Sequence, residues 1–403
     1  MNLLFKHIRW HSEGRDEAGD LRIGHGRMLD AGRGLAPLRR ERVVDGSGYL
    51  ALPGLINAHD HLDLNLFPRL GTPPYPNFYA WGRDIYHPEQ SPIRDVLRVS
   101  LPDRLRWSAY KNLVSGVTTV VHHNPYHRRL FQKAYPVKVL ERYAWSHSLG
   151  HSPDVAKAFA QRRGRPYIIH AAEGTDTASS EEIEQLGRLG MLAPGTVLVH
   201  AIALSDEQVR TLAERVVGVV WCPSSNLHLY GRTAPVHRLL PQVRVALGTD
   251  STLSGAPTLW DELKTAHATG LATPSQLLEM VTTGAAALFD LGDGRGTLRR
   301  EAPADVLLLP DTGRSAADTL LAATPASVSL VLVDGVPHLA HPDLANALDL
   351  GPPDTFIAGR PRWMTGSLSG LRRRIARTVA ADILLDNPLW SLFEAQTNIP
   401  ALP

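Results

Sequence analysis

Two histidines one residue apart, His59-Asp60-His61, follow directly on the apolar segment 52–58 of this 403-residue chain. Residues two apart on a strand point to the same face, so both imidazoles can reach one ion where a buried strand meets a loop. Neutral imidazole suits zinc. In a chain with 18 histidines such a pair carries little weight alone, but three further polar residues each close a short apolar run. His170 follows Tyr167-Ile168-Ile169, His200 follows Thr196-Val197-Leu198-Val199, and Asp250 follows the run 243–249. Parallel strands buried on both faces read this way, and barrels of such strands gather function at their C-terminal ends. His59, His61, His170 and Asp250 then form a set of three nitrogens and one oxygen that can hold zinc and still admit a water, with His200 beside that water.

Glu173 lies three residues past His170 on the strand-to-loop turn. A carboxylate there can take a proton from zinc-bound water and pass it to a leaving nitrogen. Without the neighbouring ligand it would read as an ordinary glutamate at a helix start.

The segments Leu52-Pro53-Gly54-Leu55-Ile56-Asn57-Ala58-His59-Asp60-His61, Ser115-Gly116-Val117-Thr118-Thr119-Val120, His170-Ala171-Ala172-Glu173, Leu198-Val199-His200-Ala201, Cys222-Pro223-Ser224-Ser225-Asn226-Leu227 and Gly248-Thr249-Asp250-Ser251 occur in this order. Together they resemble the amidohydrolase superfamily, in its branch of mononuclear metal-dependent deaminases and chlorohydrolases. The resemblance implies His59, His61, His170 and Asp250 as metal ligands. It implies Glu173 as proton shuttle and His200 as the group orienting water or substrate, with Asp250 sharing in activating the water. It further implies a (β/α)8 TIM-type barrel with a small β-sandwich built from both chain flanks. Two-metal branches bridge their ions with a carboxylated lysine at a strand end. The interval from His61 to His170 offers Lys111, Lys133, Lys138 and Lys157, and none ends an apolar strand, so one divalent ion is expected, zinc or else iron(II).

Those elements need a large domain and a small attachment, and the chain is long enough for both. A composition of 43% hydrophobic and 20% charged residues is ordinary for a globular enzyme, and a net charge of +2 speaks against a nucleic-acid partner. Arg372, Arg373, Arg374 and Arg377 read as a solvated helix face. The single cysteine, Cys222, excludes intramolecular disulfides and fits a reducing compartment. It also excludes the cytidine-deaminase fold, which needs a Cys-x-x-Cys pair. The start lacks the apolar core of a signal peptide, and no run of about 18 apolar residues appears, so a cytoplasmic protein away from membranes is expected.

The expected organisation is residues 1–50 as the first part of the β-sandwich, 51–295 as the barrel, 296–340 as the second part and 341–403 as a helical extension. That extension is expected to carry a helix around residues 368–385, with Leu371, Ile375 and Val379 as its apolar stripe. It would pack on the barrel or on a second subunit of a homodimer. Between Val121 and His170 the barrel needs two more strands, whereas only residues 137–145 present a clear one, so one strand is short or the barrel irregular.

For substrate contacts, His122, His123 and Asn124 follow a strand end. Either all three face the site, or strict alternation turns His123 outward and leaves His122 or Asn124. Asn226 is placed at the pocket mouth. Tyr75, Phe78, Tyr79, Trp81 and Tyr86 crowd the Pro-rich loop behind His61, where they either stack on a flat heterocycle or pack on one another, and Arg69 and Arg83 could hold an anionic group. The resulting expectation is a zinc hydrolase of a carbon–nitrogen bond in a small-molecule substrate. It would deaminate an aminated heterocycle or cyclic amidine through metal-bound hydroxide. Opening of a cyclic amide or loss of another leaving group is the alternative, and a non-catalytic scaffold is a more remote one.

Overall fold

A computed structural model describes residues 1–132 and 134–393. The first flank forms β1 (Leu3–Ser12), β2 (Arg15–Gly24), β3 (Arg27–Gly32), β4 (Arg42–Asp45) and β5 (Tyr49–Pro53). β1 and β2 are a hairpin whose two linking residues, Glu13 and Gly14, both have positive φ, the conformation whose twist matches antiparallel strands.

The barrel wall follows: β6 (Leu55–Asp60), β7 (Val117–His122), β8 (Lys138–Val139), β9 (Ala144–Ser146), β10 (Tyr167–Ala171), β11 (Thr196–His200), β12 (Gly218–Trp221) and β13 (Val245–Leu247). β6, β7 and β8 pair in parallel, as do β9 through β13, and Asp250 N–H donates to His59 O across the seam between the β13 end and β6. Every residue of β6, β7, β10, β11, β12 and β13 is buried, because helices cover the outer face and side chains fill the inner one. This is the (β/α)8 TIM-type architecture. Its irregular part is the wall between β7 and β10. Only four residues separate β8 from β9, too few for the helical crossover that links regular parallel neighbours. The apolar stretch 137–145 therefore supplies both short segments, which explains why a single strand signal stands where two are needed.

The second flank supplies β14 (Val306–Pro310), β15 (Leu330–Val333), β16 (Val336–Ala340), β17 (Thr355–Ile357) and β18 (Arg360–Met364). With the first flank they make a ten-stranded sheet ordered β17-β18-β16-β15-β14-β5-β1-β2-β3, β4 pairing with β1. Only Gly54 separates β5 from β6, so the chain passes directly from this sheet into the first barrel strand. Its own core includes Leu3, Phe5, Ile8, Trp10, Val306 and Leu332, each such side chain stabilising by about 1.5–3 kcal/mol.

Residues beyond 340 differ from the helical extension expected of them. β17 and β18 turn on Ala358-Gly359, both at positive φ, and extend the sheet, a hairpin too short to show a periodic signal. The expected single helix is two, Leu368–Ala376 and Ala381–Asp386, yet Leu371, Ile375 and Val379 are buried as a stripe. Trp390 and Phe393 pack on Trp107 of the barrel helix Leu101–Leu113. Residues 394–403 of that extension lie outside the described residues. Among the described residues no helix is long and apolar enough to cross a membrane.

Candidate active site

The strand ends bring five of the predicted side chains together. His200 and Asp250 sit at φ 73° and 54°, and Ala172, just before Glu173, at 52°. Single left-handed residues of this kind turn the chain sharply and cost about 1–3 kcal/mol each, which the surrounding barrel must hold in place. At the seam a Cβ on Gly248 would stand 2.6 Å from His59 Cβ, so only glycine lets the turn before Asp250 approach the first histidine.

His59 Nε2 lies 3.3 Å from His170 Nε2 and 3.8 Å from Asp250 Oδ1, and His61 Nε2 lies 3.6 Å from the same oxygen. Donor atoms of His59, His170 and His200, and those of His59, His61 and Asp250, form two overlapping groups within 4.8 Å. Ligands at about 2.0–2.1 Å on a tetrahedral zinc stand roughly 3.3–3.4 Å apart, a spacing that the His59–His170 contact matches and the His61–Asp250 and His59–Asp250 contacts exceed by a few tenths of an ångström. The tautomers agree. His170 Nδ1 meets His147 O at 2.7 Å and must donate to it, leaving its Nε2 lone pair aimed at His59 Nε2. Burial and the surrounding imidazoles hold His59 and His170 well below the usual histidine range, hence neutral and able to ligate. Burial alone would push the Asp250 carboxyl up, but His61, His200, Ser225 and the Ser251 N–H outweigh it and keep the carboxylate ionised. Ser225 and Ser254 occupy Oδ2 at 2.8 and 3.0 Å, which leaves Oδ1 toward the histidines.

Glu173 stands at the edge of this set. Its Oε1 accepts the Tyr230 hydroxyl at 2.8 Å and lies 3.6 Å from His200 Nε2, while Oε2 is buried without a partner. Burial raises its carboxyl to about 7, with His200 and Tyr230 acting against that and Asp250 adding to it. His200 Nδ1 donates to Asn226 Oδ1 at 2.7 Å, so Nε2 is the ring nitrogen that faces the site.

Over the mouth lies the helix Phe78–Ile85, capped by Asn77. Phe78 N–H donates to Glu173 O, Thr175 N–H to Pro76 O, and Asn77 Nδ2 to Asp176. The Phe78 ring lies parallel to His170 at 6.3 Å and 5.1 Å from His147. Tyr79 OH donates to Glu182 Oε1 at 2.9 Å, and Glu182 Oε2 accepts Ala172 N–H at 2.8 Å, which ties this lid to the turn carrying Glu173.

Behind the histidines, Asp60 and Lys111 form a fully buried pair at 3.2 Å. Lys111 Nζ also donates to Asn65 Oδ1, Thr249 Oγ1 and Asp250 O. Asn57, Asn65 and Asn112 complete the shell around Asp60. Of the remaining lysines, Lys138 pairs with Asp305 and Asp334, Lys157 is exposed on the helix Val155–Ala160, and Lys133 lies outside the described residues.

Several substrate-contact candidates are engaged elsewhere. Trp81 is buried behind Phe78 and donates its indole N–H to Leu70 O. His122 Nδ1 accepts Leu62 N–H and its ring meets Phe131, Asn124 donates to Asp63, and Arg69 donates to Gly255 O. Tyr75 donates to Asp84, and Tyr86 is exposed. Alternation holds along β7 in the opposite phase to the one that turns His123 outward: Val121 packs in one cluster with Ile168 and Val199, so His123, two residues on, stands among the site histidines, while His122 follows Val120 to the other face. His147 was not anticipated. It follows the three-residue β9, too short to show periodicity, and crowding by burial and neighbouring histidines pushes its imidazole down to about 3. Tyr230 closes the helix Pro223–Tyr230, four residues beyond Asn226, and nothing local marks it.

Residues 144–337 match the amidohydrolase family model. The chain is 27% identical over 379 residues to 5'-deoxyadenosine deaminase of Methanothermobacter thermautotrophicus, covering 79% of this chain and 88% of that protein. It is 29% identical over 399 residues to 5-methylthioadenosine/S-adenosylhomocysteine deaminase of Desulforudis audaxviator, covering 80% and 89%. In fold it resembles an adenosine deaminase from Xanthomonas campestris with bound zinc, at TM-score 0.69 and 19% identity over 94% of this chain and 99% of that one. It also resembles an atrazine chlorohydrolase from Arthrobacter aurescens complexed with zinc, at TM-score 0.65 and 19% identity over 86% and 99%. The barrel, the motifs in order and the matched segment agree that residues 144–337 of this chain carry an amidohydrolase family domain.

Proposed function

We propose that this protein is a zinc-dependent hydrolase that removes an amino group from a small heterocycle, with an adenine-type ring the first substrate to test. The observation that carries the proposal is Glu173, a carboxyl raised to about 7 with a free, buried Oε2, beside two overlapping groups of metal-ligating side chains that share His59. A zinc ion held by His59, His61, His170 and Asp250 supplies, when bound, a water activated for attack near neutral pH. Glu173 takes a proton at Oε2 and delivers it to the departing nitrogen, so that ammonia leaves as the ring carbon gains oxygen. Tyr230 holds Oε1 and thereby turns Oε2 to the reacting atoms. His200, fixed by Asn226, orients the attacking water through its Nε2. The lid helix excludes bulk water from the closed site. The two deaminase relatives support the choice of ring amine. One divalent ion per chain and a cytoplasmic location accompany this reading.

Purified protein is assayed for metal by elemental analysis and for ammonia release with 5'-deoxyadenosine, 5-methylthioadenosine, S-adenosylhomocysteine, aminopyrimidines and aminotriazines, with cyclic amides alongside. About one zinc per chain and ammonia from at least one ring amine are expected. Ring opening of cyclic amides without ammonia would overturn the deaminase assignment, and full activity without metal would overturn the mechanism.

A further inference from the structure

His123 lies behind the donor set and touches two of its members. Its Nδ1 is 3.3 Å from His59 Nδ1, on the side of the His59 ring opposite the nitrogen that faces His170 and Asp250. Its Nε2 is 2.9 Å from Ser146 O. Its ring also lies flat on His170, with centroids 4.3 Å apart and planes 2° from parallel.

The proton positions follow from the carbonyl. Ser146 O can only accept, so His123 Nε2 carries a hydrogen. In the proposed site His59 ligates through Nε2, so its own hydrogen sits on Nδ1. At 3.3 Å from that nitrogen, His123 Nδ1 is the acceptor, and the Ser146 carbonyl holds the His123 ring in the tautomer that can accept. From this chain, Ser146 O to His123 to His59, we infer that His123 is a positioning residue that fixes the metal-binding tautomer of His59 and braces the ring of His170. The inference rests on the proposed metal site. A partner on the second ring nitrogen of a ligating histidine commonly contributes about 10–100-fold to metal affinity.

Zinc affinity is measured by competition with a chromogenic chelator for the wild type, His123→Ala, His123→Phe and His123→Asn. Ala is expected to bind zinc about 10–100-fold more weakly. Phe keeps the stack on His170 without the acceptor and should remain weakened, whereas Asn, whose amide oxygen can accept from His59, should recover part of the loss. Zinc binding by Ala and Phe at wild-type affinity would overturn the role of His123 while leaving the metal site intact. A wild type that binds no zinc would instead overturn the metal site itself. The wild type offers a test independent of variant folding. Long-range proton–nitrogen NMR of the zinc-loaded protein should show His123 protonated at Nε2 and His59 at Nδ1, and a His123 proton on Nδ1 would overturn the assignment.

Discussion

Tyr230 donates its hydroxyl hydrogen to Glu173 Oε1 at 2.8 Å, while the other oxygen of the same carboxyl, Oε2, is buried with no hydrogen-bond partner among the described residues. The bond lowers the carboxyl while burial raises it, and burial wins, giving about 7. The two oxygens of one side chain thus differ in environment, one anchored and one left free for the proton transfer proposed for Glu173.

Removing the anchor should shift the pH profile. Glu173 must be ionised to take a proton, so kcat/KM should fall below about pH 7. Tyr230→Phe deletes a bond that favours the carboxylate, so this acid limb moves to higher pH and the plateau drops about tenfold. A profile identical to the wild type would detach Tyr230 from the proton transfer.

The raised carboxyl should also cost stability, with a definite sign. The unfolded side chain titrates near 4.5 and the folded one near 7. Stability from this group is therefore complete below the unfolded value and declines as pH rises to the folded one, by about 3 kcal/mol at ~1.4 kcal/mol per unit. In metal-free protein, Glu173→Gln should raise urea stability at pH 8 by up to that amount, with the gain vanishing near pH 4. The same variant should keep its zinc and lose turnover by about a hundredfold or more.

Phe78, and not Trp81, faces the site across the lid. Phe78→Ala should raise KM more than it lowers kcat, because a stacking wall is shared by bound substrate and transition state. Trp81→Ala should act through the fold of the lid, lowering Tm by several degrees. Steady-state kinetics and thermal melts on the two variants separate the roles, and a larger KM effect for Trp81 would reverse them.

Lys111 and Asp60 should behave as one unit. Lys111→Met leaves a buried carboxylate without its cation and should cost about 3–5 kcal/mol in urea unfolding. Adding Asp60→Asn should restore a large part of this, since the double change removes both charges. Additive losses in the double variant would show that the two act separately.

The convergence of His59, His61, His170, Asp250 and Glu173 was legible in the sequence because each closes or closely follows a buried strand, and a run such as Tyr167-Ile168-Ile169 states its burial and its end in local order. The barrel and the flanking strands were readable for the same reason. What the sequence could not state depends on contacts between distant segments. Tyr230 reaches Glu173 from a helix 57 residues away, Lys111 reaches Asp60 from 51, and His123 enters the site because Val121, not Val120, turns to the barrel interior, a phase that the all-apolar run of β7 does not state. The wall between β7 and β10 is likewise a matter of pairing, since two short segments share one apolar stretch and only their different neighbours separate them. Local pattern reports which face of an element is buried. Which atoms meet across the barrel is decided when its strands close on one another, because hydrogen bonds and ligand spacing require agreement to within about 0.5 Å that no single segment contains.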